Sequence, residues 1–307
     1  MPTRPLFSLA TLGLLPLSIM SIANAQTDPW ADEIVSHVSG AGGAPGYDNP
    51  ETALGPPERF SGEGTAPGVV SPFQPAWTPL EIVSLGAGGE LILRFDEWIE
   101  NDPANPHGID LIIFGNSGFI DGAYPSGVVN GLFGADGGEV SLSEDGVNWF
   151  DVPGCLADHA WPTMGWLDSA PYADEPGTIP SNPVLPMDPS VQWDDLINQG
   201  WDSILEAYGE SAGGVGIDLE TTGLERARFV RVQVPADAIF SPEIDAITDV
   251  VPLIAGDLNQ DGLVNVNDLL MLLDAWGPVD ADDPADLDQD GVVNVNDLLL
   301  ILKAWTF

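Results

Sequence analysis

The stretch "GDLNQDGLVNVNDLLMLLDAW" occupies residues 256–276, and 29 residues later "ADLDQDGVVNVNDLLLILKAW" occupies 285–305. Each copy reads as an acidic loop followed by one short helix. Calcium takes six to eight hard oxygen ligands. A twelve-residue loop supplies them from positions 1, 3, 5, 7, 9 and 12, with glycine at position 6 for the sharp turn. The first copy offers Asp257, Asn259, Asp261, the Leu263 carbonyl, Asn265 and Asp268, with Gly262 at the turn. The second offers Asp286, Asp288, Asp290, the Val292 carbonyl, Asn294 and Asp297, with Gly291 at the turn. Two complete ligand sets in matching register predict two bound calcium ions.

After each loop, Leu269, Leu272, Leu273 and Trp276, and then Leu298, Ile301, Leu302 and Trp305, fall at helical spacing on one face. Helices this short are not stable alone, so the two stripes are expected to pack on each other. The loops carry three and four carboxylates, whose repulsion calcium would relieve. Gly277 and Pro278 stop the first helix. No entering helix is expected, because "VVPLIAG" and "PVDADDPA" are short and broken by proline.

A duplicated loop and exiting helix, without an entering helix and with Asp at position 12, resembles the type I dockerin module over about residues 256–307. The resemblance implies a calcium-folded all-α module that docks onto a cohesin-like or other cell-surface protein. Positions 10 and 11, which often read Ser-Thr where dockerins meet cohesin, are here Val266-Asn267 and Val295-Asn296. These four residues are the candidate partner-binding set.

The rest of the chain bounds the setting. Its apolar fraction, 44%, is ordinary for a globular protein of 307 residues. Residues 1–25 run from one basic residue, Arg4, through an apolar stretch to Ala23-Asn24-Ala25, the pattern of an export signal, so the mature chain is expected outside the cytoplasm. No later stretch reaches the apolar length of a spanning helix. Cys155 stands alone and permits no internal disulfide. Seven basic against 48 acidic residues, a formal charge of −41, repel nucleic acid and anionic membranes and favour cations.

Residues 27–250 read as mainly β, followed by a short linker at 251–255. "GELILRFDEWI" from Gly89, "IDLIIFGNSG" from Ile109, "EVSLSEDGVNWFDV" from Glu139 and "RARFVRVQVP" from Arg226 are strand-length runs. Asp145-Gly146 marks a hairpin turn, and only "WDDLINQGWDSILEAYG" from Trp193 looks helical. "GYDNPETALGPP", "DLIIFGN", "VSLSEDGVNW", "SAGGVGIDLETTGLERARFVRVQV" and "PEIDAITDV" resemble the galactose-binding-like (discoidin-like) jelly-roll β-sandwich of secreted bacterial cell-surface proteins. On that resemblance, residues from about 153 to 208 are an insertion. The domain would bind carbohydrate or serve a structural role, and a third calcium near the N-terminal loop and last strand would use Asp48 and Glu243.

Two catalytic readings compete with binding. "GESAGG" at 209–214 spells the carboxylesterase nucleophile elbow at Ser211. That chemistry needs a strand before the serine and a histidine after it, whereas His37, His107 and His159 all precede it. The runner-up reading is an extracellular polysaccharide hydrolase carrying the dockerin-like tail, since glycoside hydrolysis needs only two placed carboxylates. "GAGGAPG" from Gly40 is read as a flexible turn rather than a phosphate loop. Trp77, Trp161, Trp166, Trp193 and Trp201 lie in loop or insertion segments, where an aromatic face stacks on a sugar or closes a core.

Overall fold

The computed structural model describes residues 28–62, 64–252, 254–258, 264–279, 283–288 and 290–306. The expected export signal lies outside them. Among the described residues no helix is long and apolar enough to cross a membrane.

The chain is mainly β. Nine strands carry the large domain: β1 (Glu33–Val38), β2 (Val83–Ser84), β3 (Glu90–Glu100), β4 (Leu111–Gly115), β5 (Gly137–Ser143), β6 (Phe150–Asp158), β7 (Val215–Ile217), β8 (Arg226–Gln233) and β9 (Glu243–Asp249). They form a five-stranded sheet ordered β1-β3-β8-β5-β6 and a four-stranded sheet ordered β7-β4-β9-β2. Every pairing in both is antiparallel.

β3 alternates along its first half, so that Leu91, Leu93 and Phe95 point inward while Arg94 and Asp96 stay outside. Opposite it, Val232 pairs with Leu91 and Val230 with Leu93. These side chains meet Leu111, Ile113, Ile244 and Ile247 of the other sheet in one buried cluster. β4 and β9 do not alternate, because a second cover protects their other face. Ile112, Phe114 and Ala246 there pack with Ala212 and Val250. A run of apolar residues such as "LIIFG" is what a strand buried on both faces requires.

The Asp145-Gly146 hairpin forms as expected. Asp145 accepts hydrogen bonds from the Val147 and Asn148 N–H groups and from the Asn148 amide. Those bonds hold its carboxyl down at about 2. The expected insertion boundary at 153 moves, however. β6 runs on to Asp158, with its register shifting between Asp151 and Leu156, where Pro153 and Gly154 sit. A proline is tolerated there because β6 is an edge strand and the register shift removes the need for its missing N–H.

Beyond Asp158 the chain builds a second core. Phe73, Phe119, Val129, Met164, Met187, Leu196, Ile204 and Tyr208 form one cluster, on which Trp161, Trp193 and Trp201 pack. Its helix α1 (Trp201–Tyr208) lies where the sequence predicts one. A ribbon of Gly118–Asp121 with Val129–Gly134, not foreseen from the sequence, contributes Phe119, Val129 and Phe133 to this cluster.

"GAGGAPG" is not a loose turn. A Cβ on Gly40 would lie 2.3 Å from the Gly86 carbonyl oxygen, and one on Gly86 would lie 2.5 Å from that of Ala41. Ala41 and Ala87 exchange backbone hydrogen bonds at 2.9 and 2.8 Å. The glycines let two backbones touch.

Candidate metal centres

The C-terminal repeat folds around α2 (Val266–Asp274) and α3 (Val295–Ala304). Asn265 and Asn294 cap them, and the acid at loop position 12 completes a capping box in each. Asp268 accepts from the Asn265 N–H at 2.7 Å and the Leu258 N–H at 2.8 Å. Asp297 accepts from the Asn294 N–H at 2.8 Å and the Asp288 N–H at 3.2 Å. Both acids are fully buried, so each ties the helix start to its own loop.

In the second loop, one carboxylate oxygen from each of Asp286, Asp288 and Asp290 lies within 4.8 Å of the others. Asp286 shapes the turn by accepting the N–H groups of Asp290 at 3.1 Å and Gly291 at 2.7 Å. Desolvation within the loop, and then the charges of Asp290 and Asp297, raise the Asp288 carboxyl above its ordinary value. These residues fit a calcium ion: three hard oxygens already converge, and carboxylate oxygens engaged by one N–H keep a lone pair for a metal. The Asn294 amide donates to the Val292 carbonyl at 2.8 Å, which places positions 7 and 9 beside each other. In the first loop Asp257, Asn265 and Asp268 are described, whereas Asn259, Asp261 and Leu263 lie outside the described residues.

The two copies clasp each other reciprocally. Val293, at position 8 of the second loop, pairs with Gly277 just past α2. Val264, at position 8 of the first, exchanges hydrogen bonds with Thr306 just past α3, at 2.9 and 3.0 Å. Both pairs are offset by the repeat length, so the module has a pseudo-twofold arrangement.

Its core differs from the expected packing of full stripes. Leu272 and Ile301 are buried, but Leu273, Leu302 and Trp276 are exposed. Leu258, Val264, Ala285 and Val293, from the loops and the segment before the second one, fill the remaining space. Each short helix buries one apolar residue completely, Leu298 and Trp305 pack partly buried against the same cluster, and loop position 8 supplies the rest. The consequence is an apolar exterior. Val266, Leu270 and Leu273 on α2, and Val295, Leu299 and Leu302 on α3, occupy equivalent i, i+4, i+7 rows and are each about half exposed. Asn267 and Asn296 lie beside these rows and are exposed as well.

In the β-domain a second group assembles: Asp136 ahead of β5, Asp158 ending β6 and Glu243 opening β9. Glu243 is thus brought to Asp136 and Asp158, and Asp48 does not join them. Burial, and secondarily the charge of Asp136, push Glu243 up to about 7, against a hydrogen bond from Ser84. Burial raises Asp158 well above the carboxylate range despite backbone hydrogen bonds from Glu243 and Ser117, and burial also raises Asp136. Sequence reasoning missed Asp136 and Asp158, which lie 85 and more residues from Glu243 and share no motif with it.

The other singled-out residues have structural roles. Ser211 is buried, donates to the Leu185 carbonyl at 2.7 Å and accepts the Gly213 N–H at 3.0 Å. Gly214 packs so closely that a Cβ would lie 2.4 Å from the Ile112 side chain. Trp193 stacks on Phe133 at 5.6 Å, Trp161 meets Tyr208 edge-on at 5.7 Å, and the Trp201 indole donates to the Ser169 carbonyl at 3.0 Å. Trp77 remains about one-third exposed.

No protein-family model matches the chain, and no curated protein matches it. A solved structure titled "Glycoside hydrolase" is similar at 7% identity with a TM-score of 0.22. The match covers 60% of this chain and 25% of that one, and a superposition so weak carries no argument.

Proposed function

We propose that this is an exported, non-catalytic binding protein. In this reading the β-domain is a galactose-binding-like sandwich that presents the insertion, and the C-terminal module is a dockerin-like plug that two calcium ions fold. The plug docks a cohesin-like or other cell-surface protein, and the sandwich is the part that would meet polysaccharide. The observation that carries the reading is the pair of equivalent, solvent-facing apolar rows on α2 and α3. Grouped exposed apolar side chains mark interaction sites, and six half-exposed aliphatic side chains in two matched rows support that role on a strongly acidic chain.

The test uses the full-length protein on a sensor surface with a type I cohesin, and separately with surface protein from the producing organism. Retention should need calcium and vanish with a chelator. Replacing Val266 and Leu270 by aspartate should leave retention largely intact, because the second row still serves. Replacing Val295 and Leu299 as well should abolish it while calcium binding persists. Retention that survives all four replacements would refute the docking role of these rows.

A further inference from the structure

We propose that Asp136, Asp158 and Glu243 form a calcium site of the β-domain, separate from the C-terminal loops and independent of the docking function assigned to them. One carboxylate oxygen from each lies within 4.8 Å of the others. Calcium bound at about 2.4 Å from each ligand sets its oxygens no more than about 4.8 Å apart, so the three already stand at the separation one ion requires.

The second observation is an atom without a partner. Asp158 is 1% exposed, and its Oδ1 has no hydrogen-bond partner among the described residues. Its Oδ2 accepts a long bond, 3.3 Å, from the Glu243 N–H, and the Ser117 backbone adds only a weak interaction that does not offset the burial. Burying a carboxylate without a neutralising partner is costly by several kcal/mol in order of magnitude, so folded chains seldom leave one that way. No side-chain cation meets the need: the ion pairs among the described residues are both made by Arg94, with Glu33 and Asp96. Glu243 is meanwhile held in place, its Oε1 accepting from the Ser84 hydroxyl at 2.9 Å.

The backbone accommodates the cluster. Gly115 of β4 lies against Asp158, and a Cβ there would sit 2.7 Å from Oδ1 and 2.9 Å from the Glu243 carbonyl oxygen. An oxygen-only donor set with no cysteine or histidine favours calcium over zinc or copper. The three ligands come from separate segments, and Asp158 is the last strand residue before the insertion. A bound ion would therefore staple the root of the insertion to the last strand, fixing how the aromatic second core sits on the sheets.

The experiment uses the full-length protein carrying Asp257→Ala and Asp286→Ala to disable both C-terminal loops. After equilibrium dialysis, atomic emission should find one calcium per chain, and tryptophan-fluorescence melts should shift upward in calcium relative to chelator. Adding Asp158→Asn should remove that ion and flatten the calcium response. In chelator this variant should melt no lower than its parent, because a buried charge has been replaced by a neutral isostere, which separates loss of the site from loss of the fold. Glu243→Gln should likewise lose the ion. The proposal is overturned if the loop-disabled protein binds no calcium, or if both variants keep the ion. A cluster neutralised by protons alone would show melting that follows pH and ignores calcium, and that also overturns it. Were the C-terminal loops not calcium sites, the unmodified protein would bind the single ion that Asp158→Asn removes, so the two readings fail separately.

Discussion

Truncating Ile301 to alanine removes one of the two apolar helix residues that the C-terminal module buries completely. Among the described residues, Leu258, Val264, Leu272, Ala285 and Val293 are the other buried members of that cluster, ringed by partly buried residues such as Leu298 and Trp305, so the core around the side chain is small. Such a truncation costs about 2–5 kcal/mol. A core this small cannot absorb that loss unless ligand binding offsets it. If two calcium ions fold the module, a cost of about 3 kcal/mol is shared as about 1.5 kcal/mol per ion, and each 1.4 kcal/mol is about tenfold in concentration. The calcium midpoint for ordering α2 and α3 should therefore rise by roughly tenfold. Hydrogen exchange of the α2 and α3 backbone amides in the full-length protein, followed across a calcium titration, reads this directly. Because Leu272 and Ile301 are equivalent positions of the repeat, Leu272→Ala should shift the midpoint by a similar factor. A midpoint that moves less than about twofold in either variant would refute the idea that this core and the calcium loops fold as one unit.

Three further outcomes follow from the same reasoning. The second loop carries one more carboxylate than the first, Asp288 where the first has Asn259, so titration calorimetry should show Asp290→Ala removing the tighter site and Asp261→Ala the weaker. Burial, then the charges of Asp110 and Glu100, push Asp249 up to about 8. The folded chain therefore keeps a proton on Asp249 that the unfolded chain releases near pH 4, and this residue's contribution to stability should fall as pH rises from about 4 to 8, by at most about 1.4 kcal/mol per pH unit. Asp249→Asn should make the pH dependence of melting at saturating calcium shallower than in the parent, and an unchanged slope would show that the residue does not contribute. Gly86→Ala should lower the melting temperature of the β-domain by an amount corresponding to about 1–3 kcal/mol, because its Cβ would lie 2.5 Å from both the Ala41 oxygen and the Gly43 nitrogen. A neutral result would mean that the close approach of the two backbones relaxes freely.

Much of this protein was legible in its sequence because the informative signals are local. Strand runs such as "GELILRFDEWI" and the Asp145-Gly146 turn depend on side-chain alternation and on hydrogen bonds spanning three residues. The ligand spacing of the two loops is likewise contained in twelve residues each, as are the capping residues Asn265 and Asn294. The tertiary structure decided what depends on distant segments meeting. Which helix residues become core in the module depended on Leu272 and Ile301 joining one buried cluster with Val264 and Val293, and this left Leu273 and Leu302 outside against the periodic pattern. The glycines of "GAGGAPG" read as looseness until Gly86 was found pressed against them. Asp136, Asp158 and Glu243 carry no shared motif, and only the antiparallel pairing of distant strands brings their carboxylates together. A local pattern records what each residue does to its own backbone, whereas burial and charge proximity are properties of the folded chain, since they depend on which other segment arrives at the same point.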